Sequence, residues 1–233
     1  MTLNSFQLKL IAMFFMVLDH VYSYLNQVGK IDIPIWFGYL GKISAPIFFY
    51  LIVEGFFHTK SRANYMKRLF LFGIIMVIVD LIVKISNNIF LSLALSVGLM
   101  SVIEYGKVSK NYLISTLLAI GVIIASLFTE ASIYGVGMTL IFYFFRECKV
   151  KLINCYMIYS LLPIVSALSF GSDFKEAIFL WDYQWMMVFA TPFLIMYNGK
   201  LGLSNQWTKW MFYIFYPLHL IVIVLLKNYI GVM

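Results

Sequence analysis

Nine stretches of this chain are apolar for long enough to approach the thickness of a bilayer, and nothing else restricts its fold as much. They run over residues 7–25, 37–58, 68–84, 88–104, 111–128, 131–146, 152–170, 183–198 and 209–228. A hydrocarbon core of about 30 Å takes roughly twenty helical residues to cross. The chain is 63% hydrophobic and 12% charged, whereas about a quarter of an average soluble domain is charged. A soluble core of this size has no room for so much apolar surface. The expected fold is therefore all-α: a polytopic membrane protein with about nine transmembrane helices in one bundle, a single domain over 1–233. Several runs are near the short limit, so eight and ten helices are the neighbouring possibilities. The links are short, without repeats or low-complexity tails. The first run lacks an A-x-A cleavage pattern and carries Asp19 and His20, so it reads as a retained helix rather than a signal peptide.

The net charge of +7 does not point to nucleic acid, because the basic residues sit in links between apolar runs. There they act as topology determinants. With the N-terminus in the cytoplasm, the inner segments hold Lys9; Lys60, Arg62, Lys67 and Arg68; Lys107 and Lys110; Arg146, Lys149 and Lys151; and Lys200 and Lys209. The outer side keeps only Lys30, Lys42, Lys84, Lys175 and Lys227. That asymmetry favours an inside N-terminus. Cys148 and Cys155 stand seven apart beside a basic link. They form no metal cage or disulfide framework, and no metal site is expected.

Ionisable side chains inside apolar runs are expensive and mark function unless a partner or cavity receives them. The first run carries Asp19 and His20, and the second Lys42 and Glu54. At about 1.5 Å per residue, Asp19 and His20 lie roughly 18–20 Å into the first helix, in its outer half. Lys42 and Asp80 reach the same layer, and His219 falls near the middle of the ninth run. Glu54 and His58 lie at the cytoplasmic end of the second helix, beside Lys60, Arg62, Lys67 and Arg68. Two groups result: an Asp-His-Lys-Asp layer toward the outside and a basic patch inside.

His20 is the expected base, since imidazole exchanges protons near neutral pH and acyl transfer to an amine or hydroxyl needs proton removal. Its plainer reading is an interhelical hydrogen bond. Asp19 points about 100° away from His20 on a helix, so it is expected to pair with Lys42 or Asp80. Lys42 either stabilises an oxyanion or snorkels to headgroups. Glu54 is expected in an ion pair with Arg62 or Arg68, or in a site. The run HTKSRANYMKR satisfies the positive-inside rule and also suits phosphate. Near the end, Pro217 opens the helix backbone, and Tyr213, Tyr216 and His219 share one face at three-residue spacing. YNGKLG at 197–202 reads as a helix stop.

These stretches resemble the TraX family of membrane proteins. The resemblance is carried by LKLIAMFFMVLDH at 8–20, GKISAPIFFYLIVEGFFHTKSRANYMKRL at 41–69, NNIFLSLALSVGL at 87–99, YGV at 134–136, YNGKLG at 197–202 and KWMFYIFYPLHL at 209–220. Lys42 stands where arginine is expected in GR-x-x-x-P. The family's known member acetylates the N-terminus of a conjugative pilin subunit, and the family is distantly similar to integral-membrane acyltransferases that use an intramembrane histidine. The resemblance implies an acetyl-CoA-dependent transferase in a bacterial cytoplasmic membrane. His20, Asp19 and His219 are then catalytic. By position, Glu54, His58, Arg62 and Arg68 then bind acetyl-CoA; the reading of the residues themselves adds Lys60 and Lys67 to that set and places Lys42, Asp80 and Tyr216 in the acceptor pocket. The implied acceptor is the N-terminal amine of a peptide or pilin-like protein, with a cell-envelope saccharide second. The rivals are a non-enzymatic membrane assembly or immunity factor that binds a small peptide, and, third, a proton-coupled transporter.

Overall fold

A computed structural model describes residues 2–26, 28 and 31–232. Lys30 lies outside the described residues, as does the side chain of Lys209. The helices are α1 (Ser5–Leu25), α2 (Trp36–Gly41), α3 (Ser44–His58), α4 (Arg62–Val83), α5 (Ile89–Ser109), α6 (Tyr112–Ser126), α7 (Ser132–Phe144), α8 (Lys149–Ala167), α9 (Gln184–Met196) and α10 (Gln206–Val232). Among the described residues there is no β-strand, only an isolated bridge between Leu3 and Tyr197.

Each apolar run read from the sequence falls on helical backbone, but the helices are unequal. Five segments are long and apolar enough to cross a membrane: Ser5–Leu25, Trp36–His58, Ile89–Ser109, Lys149–Trp181 and Trp210–Gly231. The protein is thus a helical membrane protein with five clear candidate spans. α6 and α7, of 15 and 13 residues, reach only about 20–22 Å at the α-helical rise. α4 has the length, 22 residues, but its first two turns carry Arg62, Lys67 and Arg68.

Local chemistry sets the boundaries. Asn4 accepts from the Gln7 N–H while the Gln7 side chain accepts from the Asn4 N–H, each at 3.0 Å; this reciprocal cap satisfies two otherwise orphaned donors. Ser61, Asn88 and Asn111 cap α4, α5 and α6 in the same side-chain-to-backbone manner. Between Ala167 and Trp181 the chain leaves α geometry, winding through a 3-10 stretch and a π turn at Ala177–Trp181.

The chain divides into two compact units, Met1–Phe48 with Glu147–Met233, and Phe49–Arg146. In the first, α1 packs against α2 and α10, and α8 packs against the start of α9. The YNGKLG stop forms as expected, with Gly199 and Gly202 at φ 76° and 70°. The N-terminus clamps it: Leu3, Ser5 and Phe6 donate backbone N–H groups to Met196, Lys200 and Leu201. In the second unit α4, α5 and α6 pack in sequence, and α7 adds to α5 and α6. Close approach there depends on small residues. Gly106 lies directly on Ser115, whose hydroxyl donates to the Val102 carbonyl at 2.9 Å. Such contacts are how helices associate where the hydrophobic effect is weak.

Candidate active site

In the first unit, Ala12, Met16 and His20 recur at four-residue spacing on the buried face of α1. Tyr216, His219, Leu220 and Ile223 are buried on α10. These two faces bring the histidines together. His20 Nδ1 lies 2.7 Å from His219 Nε2, and the rings are nearly parallel, 12° between their planes and 4.9 Å between centroids. Tyr216, fully buried, sets its ring edge-on to both, at 6.1 and 5.6 Å.

One further contact orders the protons. His219 Nδ1 is 2.8 Å from the Phe215 carbonyl oxygen, which can only accept. His219 Nδ1 therefore carries hydrogen, and in the neutral ring its Nε2 is the acceptor. The donor across the pair must then be His20 Nδ1–H, which leaves His20 Nε2 as the basic nitrogen. Second-partner control of this kind decides which imidazole nitrogen works.

Asp19 pairs with Lys42, its oxygen 3.0 Å from the ammonium. Of the two partners expected for it, Lys42 is the one found. Lys42 also lies over the Tyr183 ring at 5.3 Å, and the charges of Asp19 and Lys42 both act on His20. Gly41 makes the pairing possible, because a side chain there would collide with the Asp19 backbone and carboxylate. Asp19, His20, Lys42, Tyr216 and His219 thus form one cluster in this unit.

The remaining expected residues lie in the second unit. Glu54 is buried and takes Arg146 at 2.8 Å, not Arg62 or Arg68 as the sequence led us to expect. Proximity along the chain pointed to the basic link, but the turn after α7 sets Arg146 against the carboxylate. His58 bonds the Glu54 carbonyl at 2.8 Å and sits 4.0 Å from its carboxylate. Arg62 lies over the Phe56 ring at 4.2 Å, Arg68 over Tyr65 at 5.9 Å, and Lys60 and Lys67 are exposed. Asp80 accepts from the Asn87 backbone N–H, while its Oδ1 has no hydrogen-bond partner among the described residues.

Sequence reasoning missed a third group. Tyr143 donates to Glu104, and Lys107 bonds Glu104 at 3.0 Å and the Tyr143 hydroxyl at 2.7 Å. The signal was available: Glu104 ends an apolar run and has a lysine three residues on, which is a facing position on a helix.

The family model described as TraX protein matches residues 5–227. The chain belongs to the TraX family. Its matched region takes in the cluster of His20 and His219 in the first unit and, separately, the pair of Glu54 and Arg146 in the second. A relative from Dichelobacter nodosus, a probable fimbrial assembly protein FimC of serogroup H1, is 26% identical over 246 residues. That alignment covers 97% of this chain and 97% of the relative. No solved structure matches the chain.

Proposed function

We propose that this TraX family protein is a membrane-embedded acetyltransferase, moving acetyl from cytoplasmic acetyl-CoA to an acceptor amine. The favoured acceptor is the N-terminus of a peptide or pilin-like protein. The observation that carries this reading is the hydrogen bond from His20 Nδ1 to His219 Nε2, which leaves Nε2 of His20 basic. In the reaction that nitrogen takes a proton from the acceptor amine. The amine nitrogen attacks the thioester carbonyl, and the carbon–sulfur bond breaks as the amide forms. The departing thiolate takes the proton back from His20. His219 holds the ring in its working tautomer and shares the charge of the imidazolium. Lys42, anchored by Asp19, supplies a cation for the oxyanion. Exposed Lys60, Lys67 and Arg68 suit the phosphates of the donor. In this reading nine helices span a bacterial cytoplasmic membrane with the N-terminus inside, the shorter ones accommodated by local thinning or tilt of their neighbours.

The relative's name favours a second reading, a fimbrial assembly factor that binds a pilin-like peptide without acylating it. Labelled acetyl-CoA, a candidate peptide and the purified protein decide between them. Acetyl incorporation seen by intact mass, and lost in His20→Ala at normal insertion, supports the transferase. Peptide co-purification without an acetyl increment, unchanged in His20→Ala, supports the assembly factor.

A further inference from the structure

A groove of about 450 Å³ in the second unit lies over α4 and α5, lined by Arg62, Ala63, Met66, Ser101, Glu104, Tyr105 and Val108. Arg62 is among the residues expected from the sequence to bind the donor, and none of the others has a place in the reading above. From its chemistry we infer that this groove binds the phosphorylated adenosine of a nucleotide. The inference rests on the acetyl-CoA reading for the biological ligand, but the groove's donors and acceptors argue for the nucleotide by themselves.

Both acids nearby are already neutralised. Glu54 has Arg146 at 2.8 Å, and Glu104 has Lys107 at 3.0 Å together with the Tyr143 hydroxyl. Arg62 is left over. Its nearest nitrogen is 3.9 Å from Glu104, beyond hydrogen-bond range, and its side chain is 42% exposed. Its guanidinium carbon is nonetheless held over the buried Phe56 ring, 4.2 Å from the centroid. A guanidinium placed on a ring and still part-exposed keeps N–H groups for the two-point hydrogen bonding that phosphate offers. Arg62 is also the first residue of α4, so helix-terminal amides add to the field there.

The groove also offers acceptors. The Ser101 hydroxyl gives its hydrogen to the Val97 carbonyl at 2.7 Å, so it presents lone pairs to the groove, as does Glu104. An exocyclic amine or ribose hydroxyl meets both. Beside them stand Met66, the half-exposed Tyr105 ring and the exposed Val108, a surface on which a purine face can stack. A ligand that carries an anionic group, hydrogen-bond donors and a flat apolar face together is a nucleotide. An anionic lipid shares only the first of these features.

Adenosine 3′,5′-bisphosphate, titrated into the full-length protein in nanodiscs of zwitterionic lipid, tests this by calorimetry. We expect saturable binding, about tenfold weaker in Arg62→Gln, the worth of one charge-assisted phosphate contact. Val108→Trp, which fills the groove from an exposed position, should abolish it. No binding by the native protein, or binding indifferent to both substitutions, overturns the inference. Displacement of the probe by phosphatidylglycerol with uncoupling from Val108→Trp assigns the arginine to lipid and overturns it equally. Acetyl transfer that persists in Val108→Trp yet requires His20 would remove this groove and leave the transferase standing.

Discussion

His20 and His219, 199 positions apart, share a buried hydrogen bond of 2.7 Å that runs from Nδ1 of the first to Nε2 of the second. The direction follows from a carbonyl that His219 must donate to, so each histidine has a distinct task. His20→Ala should reduce acetyl transfer by about 10²–10⁴-fold, the usual worth of a general base. His219→Ala should leave His20 in place but uncontrolled, with a loss of about tenfold to a hundredfold. Single-turnover acetyl transfer at matched protein insertion measures both. A His219→Ala variant as inactive as His20→Ala would make the pair a joint base instead.

Gly41 touches Asp19 along its backbone and carboxylate. Gly41→Ala should separate Asp19 from Lys42 and destabilise the first unit by about 1–3 kcal/mol through overpacking. Gly121 is the natural control, since nothing lies within 4 Å of a Cβ there. Gly121→Ala should be neutral or stabilising by under about 1 kcal/mol. Thermal unfolding in a fixed detergent compares the two.

Glu54 and Arg146 form a partly shielded pair at 2.8 Å. Removing one partner strands the other, so Glu54→Gln and Arg146→Met should each cost about 2–3 kcal/mol. The double variant should cost less than their sum, and a double-mutant cycle reads the coupling directly. Strict additivity would mean that the pair is not formed in the membrane.

Transmembrane orientation has its own test. With nine spans and the N-terminus inside, cysteines placed at Ser61 and Lys200 should be labelled only from the cytoplasmic face. A cysteine at Asp173 should react from the outside. Maleimide labelling of intact cells and inverted vesicles separates these, and labelling of positions 61 and 200 from opposite faces would break the nine-helix topology.

Much of this was legible from residue order, for reasons that differ by element. The apolar face of α1 and the aromatic face of α10 are local periodicities, and each places its histidine inward without help from the rest of the fold. Asp19 was separable from His20 because neighbours on a helix diverge. The partner of Glu54 was not legible, because it comes from the turn after α7, 92 residues away. The Glu104–Lys107–Tyr143 network was half visible: its lysine is one helical turn on, its tyrosine on another helix.

What the amino-acid order determined by itself is the solvent and the class of element. An apolar excess this large, cut by short basic links, forces helices into a bilayer, since backbone groups there must bond within their own segment. Only tertiary structure decided which buried charges neutralise one another and which stay available. Burial makes a histidine or a carboxylate costly, but only its neighbours in space determine where the proton sits and whether an arginine such as Arg62 is spent on a carboxylate or left to meet a ligand.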